Sequence, residues 1–385
     1  MRILIVNRHY GNEHVPTGRM VGDLAAALHD GGHEVVVLTA RSSYSVTSGP
    51  VAASNGAKVL YALTLGERHR LLSWVLFLIQ AWARIPFMRW DRCVLLTDPP
   101  FLAALSILLR PFPRRLSNMF WWTMDLYPEI LISSGRLRES SRLHAFLRRL
   151  NGEIIRRMGG CILLGECQLQ RMRKYATWQN TDFIIIPPWD RRPIAKVERP
   201  NNRFLKKYGL KGKKVALYAG NLGEGHTFVP IVNAARELVK SQRGDWAIVF
   251  VIRGPKKRHL LKAAKGLSPV LILDYQPLDW TSDLLWSAHV HLITMNGPLQ
   301  GLVVPSKLYG VLQTEAPVLF IGPRDADTAQ EIQRYHAGET IGETCTGDEV
   351  VAALDRLYAV SIAGNAARIA PDNTGPERIA EFVTQ

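Results

Sequence analysis

Cysteine is scarce. There are four in 385 residues (Cys93, Cys161, Cys167 and Cys345), with no C-x-x-C pair and no metal-finger spacing. That excludes a disulfide framework and a zinc module, and it points to a reducing compartment with free thiols. No apolar run reaches the roughly twenty residues that span a bilayer as a helix. The opening MRILIV has no basic n-region, long apolar core or small-residue cleavage site, so it predicts a strand rather than a secretory leader. No G-x-G-x-x-G follows a strand, which leaves a dinucleotide fingerprint unsupported. No D-x-D-like pair sits in a suitable loop, and no internal repeat is evident. Acidic residues also fall short, 33 against 48 lysines and arginines, for a net charge of +15. Such an excess calls for an anionic partner: nucleic acid, anionic lipid or a phosphorylated substrate. Nucleic acid is the weakest of the three, because the aromatics cluster with leucine and isoleucine and no recognised binding motif is present.

What is present is an α/β rhythm in a chain too long for one ordinary core. RILIVN, then GRMVGDLAAALHDGG with Met20, Leu24 and Leu28 at helical spacing, then HEVVVLTA read as strand, helix, strand. A unit of that length implies parallel strands joined by a right-handed crossover. Further strands are expected at 93–97, 116–122, 161–165 and 183–187. Residues 187–202, PPWDRRPIAKVERPNN, have the composition of a linker. The rhythm then restarts with KVALYAG, WAIVFVI, VLILDY, VHLITM and APVLFIG as strands between helical segments. We expect two doubly wound Rossmann-like domains, 1–190 and 191–365, facing a central cleft. A closing helix over 366–385 would cross back to the first domain. Ligands of such sheets bind beyond the carboxyl ends of the strands.

Three stretches at strand ends of the second half favour an anion. In GLVVPSKLYG, Pro305 suits the first turn of a helix. Ser306 and Lys307 then lie beside unpaired N–H groups and the positive end of the helix dipole, an arrangement that suits a phosphate; a lysine snorkelling to water is the plainer alternative. In YAGNLGEGHTF the glycines at 220, 223 and 225 permit close backbone approach. In FVIRGPKK, Arg253 directly follows a strand. One diphosphate would explain all three. In the first half, FWWTMDLYPEI ends a strand with Asp125 and then Glu129. A carboxylate there could orient or deprotonate a hydroxyl, or Asp125 could cap the following helix. His9 after the first strand and Arg19 in the PTGR turn are candidates for substrate contact, or plain loop residues. His289 and His291 alternate on one strand face without a third metal ligand.

The order of these motifs resembles that of a GT-B glycosyltransferase of the family 4 type, in particular the bacterial exopolysaccharide and O-antigen transferases. MRILIVNRHY, PTGRMVGDLAAALHDGGHEVVVLT, DLYPEI, YAGNLGEGHTF, DYQP, GLVVPSKLYGVL and PVLFIGP carry the likeness from residue 1 to about 340. The resemblance implies a metal-independent enzyme with no cofactor and a nucleotide sugar, UDP-linked, held by the second domain. Gly220 and Asn221 would line the diphosphate, with Arg253, Ser306, Lys307 and Arg19 supplying contacts. Tyr275 and Gln276 would lie near the base, and Gly301 and Leu302 near the sugar phosphate. His9, Asp125 and Glu129 would serve catalysis. Retention at the anomeric carbon is implied by the family alone. One departure is plain: where many relatives carry a spaced pair of glutamates, the second holding the ribose, this chain has Leu302 and Gly310.

From Arg68 to Arg115 the chain is apolar, aromatic and flanked by arginine. Trp74, Trp82, Arg84, Arg89 and Trp90 match a helix lying in a membrane interface, or else a buried helix with incidental surface arginines. These readings combine into a peripheral enzyme on the inner face of the bacterial cytoplasmic membrane. It would transfer a hexosyl or N-acetylhexosaminyl group to a lipid-linked (polyprenyl diphosphate) or saccharide acceptor for surface polysaccharide, including lipopolysaccharide O-antigen. A UDP-sugar epimerase of the same architecture and a non-catalytic GT-B module are the alternatives.

Overall fold

The computed structural model describes residues 1–11, 15–40, 56–65, 69–175, 181–363 and 371–385. It divides into two compact units. One comprises Met1–Pro188, Gly301–Val304 and Asn373–Gln385; the other comprises Trp189–Gln300 and Pro305–Asp372. The expected domain boundary thus falls beside the Pro188–Trp189 junction. The end of the chain, where described, belongs to the first unit.

The first unit holds a sheet of seven described strands: β1 (Arg2–Val6), β2 (Glu34–Ala40), β3 (Lys58–Ala62), β4 (Arg92–Leu95), β5 (Met119–Trp122), β6 (Gly160–Leu163) and β7 (Asp182–Ile185). Their order is β3-β2-β1-β4-β5-β6-β7 and every pairing is parallel. Central strands of such a sheet are covered on both faces, which is why RILIV and GCIL are apolar without alternation and buried almost throughout. The helix Pro16–Asp30 starts on a proline whose missing N–H costs nothing there, buries Met20, Val21, Leu24, Ala25 and Leu28, and stops at Gly31. The strand expected over 116–122 is shorter, because Pro113–Leu116 closes a helical turn. The terminal helix Gly375–Thr384 sets Phe382 edge-on against Phe120 at 5.6 Å, and its Val383 carbonyl accepts from Arg92 Nε at 3.0 Å.

The second unit holds β8 (Lys214–Asn221), β9 (Trp246–Arg253), β10 (Val270–Leu273), β11 (Val290–Thr294), β12 (Val318–Ile321) and β13 (Gly338–Ile341). They run in the order β10-β9-β8-β11-β12-β13, all parallel. Its main core joins Tyr218, Trp246, Ile248, Phe250 and Leu292 of the sheet to Ile231, Ala235 and Leu238 of helix Val229–Lys240. At β13, Gly338 has φ +154, and a Cβ built there would lie 1.9 Å from the Val318 carbonyl oxygen of β12. Gly338→Ala is therefore expected to lower stability by more than about 2 kcal/mol, read as a drop in the denaturation midpoint.

Strand order reverses between β1 and β4 in the first unit, and between β8 and β11 in the second. In each, the loops leaving the two inner strands diverge to opposite sides and open a crevice at the sheet's carboxyl edge.

Candidate functional site

The crevice of the second unit gathers most of the residues singled out for anion binding. The penultimate residue of β8 is Gly220, whose φ of +134 suits glycine alone, and the Lys307 side chain lies against it: a Cβ at 220 would sit 3.6 Å from the ammonium. Lys307 Nζ donates to the Tyr218 hydroxyl at 2.7 Å and stands 3.9 Å from the centre of the Tyr218 ring. Tyr218 is fully buried, and among the described residues no carboxylate comes within ion-pair distance of Lys307. Desolvation without a counter-ion pulls this lysine down to about 7. A cation so placed is poised for an anion that the protein does not itself supply.

Asn221 pairs across the ladder with Arg253, and the Leu222 N–H donates to the Arg253 carbonyl at 2.8 Å. The Arg253 guanidinium stacks over the Tyr275 ring at 4.7 Å. Gln276 accepts from the Tyr208 hydroxyl at 2.9 Å and donates to the Asp274 carbonyl at 2.8 Å, so its amide is engaged at both ends. Lys307, Gly220, Asn221, Arg253 and Tyr275 thus form one continuous edge. Ser306 is half-buried at the cap position of its helix and makes no side-chain cap bond.

One expectation needs correcting, and two further residues have an unexpected setting. The helix that Lys307 opens runs only from Lys307 to Val311, too short to carry much of a dipole. The positive charge at this position is that of the cation itself, not of a helix terminus. Leu302 is fully buried in the first unit, and its carbonyl accepts the Leu126 N–H at 3.0 Å. Gly301 has φ +71, and a Cβ there would meet the Cys167 carbonyl at 2.5 Å. Both belong to the first unit and pack tightly within it. Gly310 leaves room for Asp190, whose carboxylate would be 3.1 Å from a Cβ at 310 and is paired with Arg192 at 2.6 Å.

Residues the sequence reading did not single out complete this edge. His226 donates Nδ1–H to the Thr294 carbonyl at 2.5 Å. Burial first, then the nearby Lys307, pulls the imidazole down to about 3, so it is neutral. Tyr218, Lys256 and Asn296 were within reach of inspection, since each lies at or just past the carboxyl end of a predicted strand.

In the first unit the crevice loops bring Arg8 and His9 to Asp98. Arg8 Nε lies 3.1 Å and His9 Nε2 3.0 Å from the Asp98 carboxylate. Burial alone would raise that carboxyl, but the bonds from His9 and Arg8 outweigh it and hold it below the usual range. Asp125 is half-buried. Its N–H donates to Thr97 Oγ1 at 3.0 Å, and the following helix is capped at Pro128, so Asp125 is not its N-cap. Glu129 turns inward, 3.9 Å from His144 Nε2. Arg19 sits in the first turn of helix Pro16–Asp30. The two strand histidines are structural: His289 Nδ1 accepts the Val215 N–H at 2.9 Å, and His291 pairs with Thr314 at 3.1 Å.

Among the described residues no helix is long and apolar enough to cross a membrane. Helix Arg70–Arg84 nevertheless exposes Leu71 (72%), Leu72, Val75 and Ile79 in one stripe, followed by Phe87 at 88%. Leu108 and Phe112 are also exposed, and Arg115 ties their segment to the Pro86 carbonyl. Arg84 and Arg89 are exposed beside them. Trp90 is not part of this surface. It is buried, with its indole N–H on the Ile85 carbonyl at 3.1 Å, and Trp74 and Trp82 are only half-exposed. The apolar surface is aliphatic and phenylalanine-rich rather than tryptophan-based.

No family model matches the chain. It is 26% identical over 380 residues to the probable glycosyltransferase WbjE of Pseudomonas aeruginosa, a match covering 92% of this chain and 88% of that one. Among solved structures it is similar to WaaG, a glycosyltransferase involved in lipopolysaccharide biosynthesis, with a TM-score of 0.72 and 17% identity over 99% of both chains. It is also similar to Anabaena HepE in complex with UDP-glucose, with a TM-score of 0.70 and 12% identity over 100% of this chain and 98% of that one. The parallel sheets and these likenesses establish two Rossmann-like domains of the GT-B architecture.

Proposed function

We propose that the chain is a glycosyltransferase that moves a sugar from a UDP-linked donor to a lipid-linked or saccharide acceptor in cell-surface polysaccharide assembly. The observation that carries this reading is the Lys307 ammonium, set against Gly220 at a strand's carboxyl end with a tyrosine and, among the described residues, no carboxylate for company. As the bond from the sugar's anomeric carbon to the diphosphate breaks, the electron pair passes to the leaving oxygen. Fixed positive charge from Lys307 and Arg253 meets it there without reorganisation, the most effective form of transition-state stabilisation. Such a device needs no metal ion of its own. The similarity to WbjE and WaaG supports the surface-polysaccharide setting, and HepE's complex with UDP-glucose supports the UDP donor. Retention at the anomeric carbon and a family 4 assignment rest on the motif resemblance. On the acceptor side, Asp125 is our choice of carboxylate for the incoming hydroxyl, because it is only half-buried whereas Glu129 turns towards His144. A thermal-shift screen against UDP, GDP, ADP and dTDP sugars tests the reading. A shift confined to UDP-sugars is expected, and no shift with any nucleotide would sink it.

We assign the exposed Leu71, Leu72, Val75, Ile79, Phe87 surface and its arginines to the inner face of the cytoplasmic membrane. Buried apolar side chains anchor it, and each basic residue near an anionic leaflet adds about 1 kcal/mol. Replacing Leu72, Val75 and Phe87 together by serine should abolish cosedimentation with phosphatidylglycerol vesicles while leaving the denaturation midpoint unchanged, since these side chains are exposed. Undiminished cosedimentation would remove the assignment.

A further inference from the structure

The loop after β8 has an unusual hydrogen-bond ledger. Five successive carbonyls are all taken. Leu222 accepts from the Lys256 N–H at 3.4 Å, Gly223 from the His226 N–H at 3.2 Å, and Gly225 from the Asn296 N–H at 2.9 Å. Glu224 accepts from Lys256 Nζ at 3.0 Å and from Asn296 Nδ2 at 2.8 Å, and His226 accepts from Lys256 Nζ at 2.7 Å. By contrast, the N–H groups of Gly223, Glu224 and Gly225 donate to nothing among the described residues. The two facts are linked. In a planar trans peptide the N–H points opposite to the carbonyl of the preceding residue. Fastening the carbonyls of 222, 223 and 224 therefore also fixes the directions of the N–H groups of 223, 224 and 225. Three consecutive N–H groups of a turn, fixed in direction and without an acceptor among the described residues, are donors of the kind an anion takes up. It lies in the loop that begins at Gly220, where the uncompensated Lys307 ammonium rests.

We propose that Lys256 and Asn296 are positioning residues that hold the loop after β8 with its backbone N–H groups presented to the donor's diphosphate. The role rests on the diphosphate reading of this crevice. Lys256 does not serve here by offering its own charge to the anion. Its ammonium is already spent on two loop carbonyls and lies 3.9 Å from the Glu224 carboxylate. Gly254 makes the arrangement possible. It has φ +123, and a Cβ there would fall 2.7 Å from the Leu222 carbonyl, so only glycine lets the β9 loop press against the β8 loop.

The test is calorimetry of UDP and of uridine binding to wild type and to Lys256→Met, Lys256→Arg, Asn296→Ala and the Met/Ala double variant, with inorganic pyrophosphate as a second probe and denaturation midpoints recorded for each. Lys256→Met and Asn296→Ala should each weaken UDP about fivefold, the worth of a modest hydrogen bond. Uridine binding and the midpoints should stay constant. Lys256→Arg, which can still donate to both carbonyls, should recover most of the loss. The double variant should lose less than the product of the two, since both residues act through the Glu224 carbonyl. Wild-type UDP affinity in both single variants, or equal losses for uridine and UDP, overturns the positioning role alone. Loss in Lys256→Met with none in Asn296→Ala makes Lys256 a direct phosphate ligand and also overturns it. If wild type binds neither UDP nor pyrophosphate, the diphosphate reading itself falls and the proposal with it.

Discussion

Lys307→Ala is expected to weaken UDP-sugar binding by about 10- to 100-fold while leaving the protein at least as stable as wild type. The first half follows from the value of a charge-assisted hydrogen bond, about 1.5–3 kcal/mol, lost from a site where, among the described residues, no other cation touches Gly220. The second half is the unusual one. A buried polar group is normally missed when deleted, because a partner is left stranded. Among the described residues the ammonium has only the Tyr218 hydroxyl and ring as partners, and no carboxylate there offsets its desolvation in the free protein. Removing it relieves that cost. Tyr218, with its hydroxyl also within 3.4 Å of the Asn221 carbonyl, keeps an acceptor. Calorimetry and thermal denaturation on the same samples check both halves. A fall in stability with affinity intact would make Lys307 a structural residue.

UDP-sugar affinity is expected to fall about tenfold between pH 6 and pH 8. In the free protein Lys307 titrates at about 7, and only its charged form binds the diphosphate well. The bound anion favours the ammonium, so the lysine's pKa rises in the complex, and binding above pH 7 must take up a proton. At pH 6 the lysine is already mostly charged; at pH 8 about one molecule in ten is, and apparent affinity drops by that fraction. A UDP-sugar is the right probe, because its diphosphate diester has no ionisation of its own in this range. Proton uptake appears as a binding enthalpy that varies with the buffer's ionisation enthalpy at pH 8 and not at pH 6. His226 does not share the effect, since it is held neutral throughout the window. In Lys307→Met the pH dependence should vanish.

Much of the fold was legible because its central strands are buried on both faces. KVALYAG, WAIVFVI, VLILDY and VHLITM are apolar over the length of a strand and bounded by turn residues, and β8, β9, β10 and β11 lie within them or overrun them by a residue. β3 and β13 went unseen. Both are edge strands, and GETI at β13 is half polar, carrying no pattern that separates it from a loop. The Lys307 site was legible from residue type and position, an isolated cation after apolar chain at a sheet's carboxyl edge. That Leu302 and Gly301 belong to the other unit was not legible, because a sequence neighbour of Lys307 need not share its unit, and Gly301–Val304 count with the first unit. Trp90 was misread because an interfacial tryptophan and a core one look alike until the Ile85 carbonyl is seen accepting from its indole. The fastening of the β8 loop was not legible at all, since it depends on carbonyl directions, which sequence does not record.

A crystal structure with a UDP-sugar bound tests the central claim most directly. The account predicts the diphosphate at the carboxyl end of β8, with Lys307 Nζ within hydrogen-bond distance of a phosphate oxygen and the N–H groups of the following loop on the same anion. A saturated crystal whose nucleotide lies elsewhere, with Lys307 still turned to Tyr218 alone, would contradict it.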